Sequence, residues 1–131
     1  MRSTLEVAKG LIQKADNDLK AVRIGIQHDV PLDTVAFHVQ QSAEKMLKAL
    51  LASRAVDYPL THDLRALLNL AVKEVPDLDS FRERLIAFNP YAVELRYDVI
   101  ELDREEIVRA LSTVEEFRKA ILDNIPEEAR P

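Results

Sequence analysis

The run Phe37-His38-Val39-Gln40-Gln41-Ser42-Ala43-Glu44-Lys45-Met46-Leu47-Lys48-Ala49-Leu50-Leu51 sets amides, a carboxylate and two lysines on an otherwise apolar helical pattern. Gln41, Glu44, Lys45 and Lys48 are spaced so that a helix brings them onto one face. Lysine ammonium groups there can neutralise a phosphate, glutamine amides can hydrogen-bond a base edge, and a carboxylate can orient either. The same residues also suit an ordinary solvated face. Glu44 and Lys48 form an (i, i+4) pair worth a few tenths of a kcal/mol, and Gln41 can satisfy backbone groups of a neighbouring loop.

Three further positions extend this candidate site. His62, in Thr61-His62-Asp63-Leu64, stands where a helix should begin. It can donate to a phosphate, act as an acid or base, or tie its loop to a neighbour. Arg96-Tyr97 follows Tyr91 in a connector. Arginine beside aromatics suits nucleotide recognition, and equally an ion pair with Glu94 or a more distant carboxylate. Other chemistries are excluded. No Glu stands three residues before His28, His38 or His62, and no His-Glu-x-x-His occurs, so no metal is expected. Two glycines cannot build a Walker loop or a dinucleotide fingerprint, and no resident cofactor is expected. Ser42 and Ser53 fall within or at the end of a helix, not on a nucleophile elbow.

The elements that must position these groups are legible. Leu5, Ala8, Ile12, Ala15, Leu19, Val22 and Ile26 alternate by three and four, predicting a helix from Ser3 to Gln27 with a heptad-like seam. Ser3 with Glu6 has capping-box spacing, and Ala8 and Ala15 permit close approach of a neighbour. Pro31 interrupts the pattern, and a second helix is expected over 32–53 on Ala36, Val39, Ala43, Met46, Leu47 and Leu50. Thr61 should cap a third helix, with Asp63 in its first turn. Pro76 ends it, residues 77–88 read as a short fourth helix, and 91–100 as a helical turn or connector. Asp103 should cap a last helix ending before Pro126. The expected architecture is all-α, an up-and-down antiparallel bundle of four to five helices over residues 1–125, with 126–131 a frayed tail.

Bulk properties agree. At 131 residues the chain fits one domain, and a net charge of −5 argues against general DNA or RNA coating. Residues 1–54 nevertheless carry eight Lys/Arg against six Asp/Glu, which leaves room for local basic patches. No cysteine is present, which excludes disulfides and thiolate chemistry and fits a reducing cytoplasm. The N-terminal residues lack a signal-peptide core, and no apolar run approaches the roughly 20 residues that span a bilayer.

The segment Gln-Gln-Ser-Ala-Glu-Lys-Met-Leu-Lys-Ala (40–49), then Thr-His-Asp-Leu (61–64), then Leu-Arg-Tyr (95–97), resembles the HEPN domain family in order and spacing from about Leu5 to Ile125. One departure is Asp98, where a proline often follows the Arg-Tyr pair. The resemblance implies a helical bundle that pairs as a homodimer and binds a nucleotide or RNA. It also implies a partner, a minimal nucleotidyltransferase, in pairs that behave as toxin and antitoxin. Other members are metal-independent ribonucleases that use an Arg, four to six residues, then a His on a late helix. Here Arg96 has no His after it. Arg23 and His28 match the spacing, but on the first helix, where a separation of five sets side chains about 140° apart.

The expected function is therefore a non-catalytic binding module acting through Gln41, Glu44, Lys45, Lys48, His62, Arg96 and Tyr97. On this reading Lys45→Glu weakens nucleotide binding without unfolding the bundle. The alternatives are a ribonuclease using Arg23 and His28, or a purely structural protein–protein interaction module.

Overall fold

A computed structural model describes residues 3–93 and 101–131. It is all-helical, with no strand among the described residues. The order is α1 (Thr4–Gln27), α2 (Leu32–Ser53), α3 (Leu64–Glu74), a 3-10 helix (Pro76–Phe81), α4 (Arg82–Ile86), α5 (Pro90–Val93), α6 (Arg104–Leu122) and a final 3-10 turn (Glu127–Ala129). The four long helices make the expected bundle.

Helix α1 begins where the capping box predicts. The Ser3 hydroxyl accepts from the Glu6 amide at 3.1 Å, satisfying one of the orphan N–H groups of the first turn. Its seam residues Ala8, Ile12, Ala15, Leu19 and Val22 are buried against α2, and α1 with α2 is the most extensive helix pair. The seam departs from expectation at its end: Ile26 is only partly buried and Gly25 faces the core instead. A Cβ on Gly25 would lie 2.6 Å from Val35 Cγ2, so the Val35 side chain packs onto the α1 backbone at a distance only glycine permits. The chain then turns back through Asp29, whose φ of 54° is left-handed.

Helix α2 is buried along most of its circumference, with Val39, Ala43, Met46, Leu47, Leu50 and Leu51 all fully enclosed. Helix α6 runs antiparallel to α1, since Arg104 bonds the Ile26 carbonyl and Arg118 pairs with Asp16. Its Ile107, Val114, Phe117 and Ile121 close the core.

Three expectations are corrected. The cap of α3 is Asp63 rather than Thr61. The Asp63 carboxylate accepts from Arg65 N at 2.9 Å, and Thr61 Oγ1 instead braces the cap by accepting from Asp63 N at 3.0 Å. Asn89 reaches back to complete this cap. Its Oδ1 accepts from Leu64 N at 2.8 Å and its Nδ2 donates to Asp63 Oδ1 at 2.9 Å. The fourth helix is split into a 3-10 helix and α4, with Pro76 starting the tighter winding. Residues 126–131 are not a frayed tail as a whole. Ala129 is fully buried in the core, and Arg130 donates to the Ile125 carbonyl at 3.2 Å. A small apolar side chain at the end of a 3-10 turn plugs the bundle where a polar tail would have stayed in solvent.

Candidate functional site

The open side of α2 is a stripe of partly exposed residues, Phe37, His38, Gln41, Lys45 and Lys48. Behind it lie two buried carboxylates. Glu44 is 4% exposed and Asp18, on α1, is 7% exposed. A carboxylate removed from water needs partners on its lone pairs. Both have them, in the same pattern.

Glu44 Oε1 lies 2.8 Å from His62 Nδ1 and Oε2 accepts from Lys48 Nζ at 3.0 Å. Asp18 Oδ1 lies 2.8 Å from His38 Nδ1 and Oδ2 accepts from Lys45 Nζ at 2.6 Å. An ionised carboxylate only accepts, so each histidine carries its proton on Nδ1. Each Nε2 is thereby left as the ring nitrogen not committed to the carboxylate.

Amides lock the Glu44 half. Gln40 is fully buried, and its Nε2 donates to the His62 carbonyl at 2.8 Å and to Glu44 Oε1 at 3.3 Å. Gln41 Nε2 donates to Gln40 Oε1 at 2.7 Å. His62 is therefore tied twice to α2, by its ring and by its backbone, and its side chain is still 69% exposed. It precedes the Asp63 cap, outside the first turn of α3. Lys48 also lies 5.9 Å from the Tyr58 ring centroid. Burial raises the Tyr58 phenol above its ordinary pKa. Leu60, two residues before His62, is wholly exposed.

The structure thus brings together Gln41, Glu44, Lys45, Lys48 and His62, but not as a set of free cations. Each lysine is already paired, Lys48 with Glu44 and Lys45 with Asp18. Chemically the cluster is an array of oriented N–H donors and two carboxylate-held imidazoles. Such an imidazole accepts a hydrogen bond at Nε2 when neutral, can take a proton there from a ligand, and donates to an anion through Nε2 only in its protonated form. Arg96 and Tyr97 lie outside the described residues. Tyr91, five residues before Arg96 in the sequence, is buried and stacked on Phe88, with centroids 5.8 Å apart. Its phenol is raised by burial and next by Glu106, with Arg109 opposing.

Arg23 and His28 are not brought into one site by any contact. The Arg23 guanidinium donates to Glu115 on α6 at 3.2 Å, while His28 caps α1 through its backbone and is exposed. Among the described residues no cluster of His, Cys, Asp or Glu fits a metal ion. No described helix is long and apolar enough to cross a membrane.

Three residues of the network were not singled out from the sequence as functional. Gln40 enters the sequence reading only as part of the polar run and of the segment that resembles the family. Asp18 is a buried carboxylate next to the seam residue Leu19, and His38 enters the sequence reading only as a possible metal ligand. Their one sequence signal is spacing: His38 and Lys45 are seven apart, two turns along one face, so a single carboxylate on a neighbouring helix can meet both.

A family model for the HEPN domain matches residues 8–125. The match spans nearly the whole chain, and the protein belongs to the HEPN domain family. At the family level this makes it a nucleotide- or RNA-related or interaction module. No curated protein and no solved structure gives a significant match.

Proposed function

We propose that this HEPN domain is a non-catalytic, cytoplasmic binding module that acts as a homodimer. It takes a nucleotide or a partner nucleotidyltransferase on the open stripe of α2, in a toxin–antitoxin-like pair. The observation that carries this reading is the doubled motif in which a buried carboxylate holds one histidine and one lysine. Holding the donors in advance removes part of the ordering cost of binding. The revised roles are these. Glu44 and Asp18 position, and do not contact, the ligand. His62 and His38 offer their outer ring edges, Lys45 and Lys48 offer the ammonium N–H groups not given to their carboxylates, and Gln41 lies between them for polar specificity. Leu60, exposed beside His62, supplies apolar contact to a base or to a partner chain.

The test is a calorimetric titration of ATP, GTP, CTP and UTP into wild type, His62→Ala and His38→Ala, with native mass spectrometry of protein purified from its own host. The expected result is a bound nucleotide, or a retained nucleotidyltransferase-sized chain, with affinity about tenfold weaker in either variant. Bare protein with no affinity for any nucleotide, together with no retained partner, removes the proposal.

A further inference from the structure

A second polar recess lies on the other side of α1, between α1 and α6. It is an open groove of about 500 Å³ lined by Asp16, Asn17, Lys20, Arg23, Glu115 and Arg118. A volume of that order is sufficient for a small ligand. Its walls are braced by two cross-helix ion pairs. Arg118 holds Asp16 through Nε at 2.6 Å and Nη2 at 3.0 Å, and Arg23 holds Glu115 through Nη2 alone.

These pairs leave donors unused. A guanidinium has five N–H groups, so among the described residues Arg118 has no partner on Nη1, and Arg23 has none on Nε or Nη1. Lys20 is exposed, and no described residue pairs with its ammonium; the Asn17 amide is likewise unbonded. Three cations face two carboxylates, which leaves the groove locally positive on a chain whose net charge is −5. Along α1 the donors Asn17, Lys20 and Arg23 span about 9 Å at the helical rise, with Asp16 beyond Asn17 held by Arg118. That is an elongated row of donors, longer than a single carboxylate requires. Guanidinium forks and an ammonium in a row match successive phosphoryl oxygens.

We propose that the α1–α6 groove is a binding site for a linear chain of two or three phosphoryl groups, free or carried by a nucleoside. It is separate from the α2 stripe. Lys20 supplies the uncommitted charge, and Arg23 and Arg118 supply oriented donors while staying fixed by Glu115 and Asp16.

Inorganic triphosphate is the probe, titrated without divalent cations into isotope-labelled protein. The expected shifts map to residues 16–23 and 115–118, and Lys20→Glu weakens binding about tenfold or more while Lys20→Arg retains it. Because Lys20 is exposed, its variants leave the core intact. A nucleoside triphosphate that binds the groove more tightly than triphosphate identifies the carried form as the ligand. Equal or weaker binding identifies the free polyphosphate. Absence of shifts in the groove, shifts confined to residues 38–48, or equal affinity of wild type and Lys20→Glu overturns the assignment.

Discussion

Asp18 and Glu44 do the same thing from different helices: each buried carboxylate gives one oxygen to a histidine Nδ1 and the other to a lysine Nζ. This repetition organises the open side of α2. It also turns residues that read as a solvated surface into the polar interior of a site.

The first consequence concerns stability. Glu44→Ala removes the common partner of Lys48, His62 and Gln40 and leaves an ammonium that is 14% exposed without its counter-charge. The expected loss is about 2–3 kcal/mol, at the low end for a broken buried pair because Lys48 can turn toward water. His62→Ala, on a side chain 69% exposed, should cost under about 1 kcal/mol. Urea midpoints of the two variants check the ordering, and equal losses would contradict the buried hub.

Lys45→Glu is no longer a clean probe of ligand binding. It replaces the partner of Asp18 with a second carboxylate beside a group that is 7% exposed. Both charges then face each other with little water. We expect a loss of about 3 kcal/mol or more in denaturant unfolding, with Lys45→Gln milder. A Lys45→Glu protein as stable as wild type would show that Asp18 is not held as described.

Gly25→Ala improves helix propensity by about 1 kcal/mol, yet we expect net destabilisation. The new methyl would meet Val35 Cγ2 at 2.6 Å, and a β-branched side chain on a packed helix has little room to yield. The loss should be about 1–2 kcal/mol. Val35→Ala in the same chain should recover most of the clash, leaving the smaller cost of a cavity. Thermal unfolding of the two single variants and the double variant measures that coupling.

Alkaline pH should weaken the fold through the phenols of buried Tyr91 and partly buried Tyr58. Tyr91 and Tyr58 both have raised pKa values, Tyr91 by burial first and then by Glu106. In each case the folded state holds its proton longer than the unfolded chain. The stabilising contribution is complete below the unfolded tyrosine pKa of about 10 and is lost as pH climbs through the raised folded value. Each group contributes a slope of up to about 1.4 kcal/mol per pH unit in that window. Tyr91→Phe keeps the ring packed on Phe88 and should flatten the decline. Urea midpoints from about pH 9 to about pH 11 for wild type and variant decide it, and identical slopes would remove Tyr91 as a cause.

Much of this was legible in the sequence. The alternation by three and four from Leu5 to Val22, Pro31 between two apolar stripes, and Asp103 ahead of a last periodic run placed α1, α2 and α6, because burial of one helix face imposes its period on the residue types. The grouping of Gln41, Glu44, Lys45 and Lys48 also followed from spacing, since helical neighbours are a local property. Local spacing cannot reveal what arrives from another helix. Asp18 meets His38 and Lys45 only because α1 folds back against α2 through Gly25 and Val35. His62 meets Glu44 because Gln40 pins its carbonyl, and Asn89 caps α3 across twenty-five residues of chain. These contacts depend on distances between elements. The sequence by itself determined the long helices and most of the faces they bury, because the period is local; the tertiary structure alone decided that Lys45 and Lys48 are paired, that the tail is anchored by Ala129, and that two carboxylates share one arrangement.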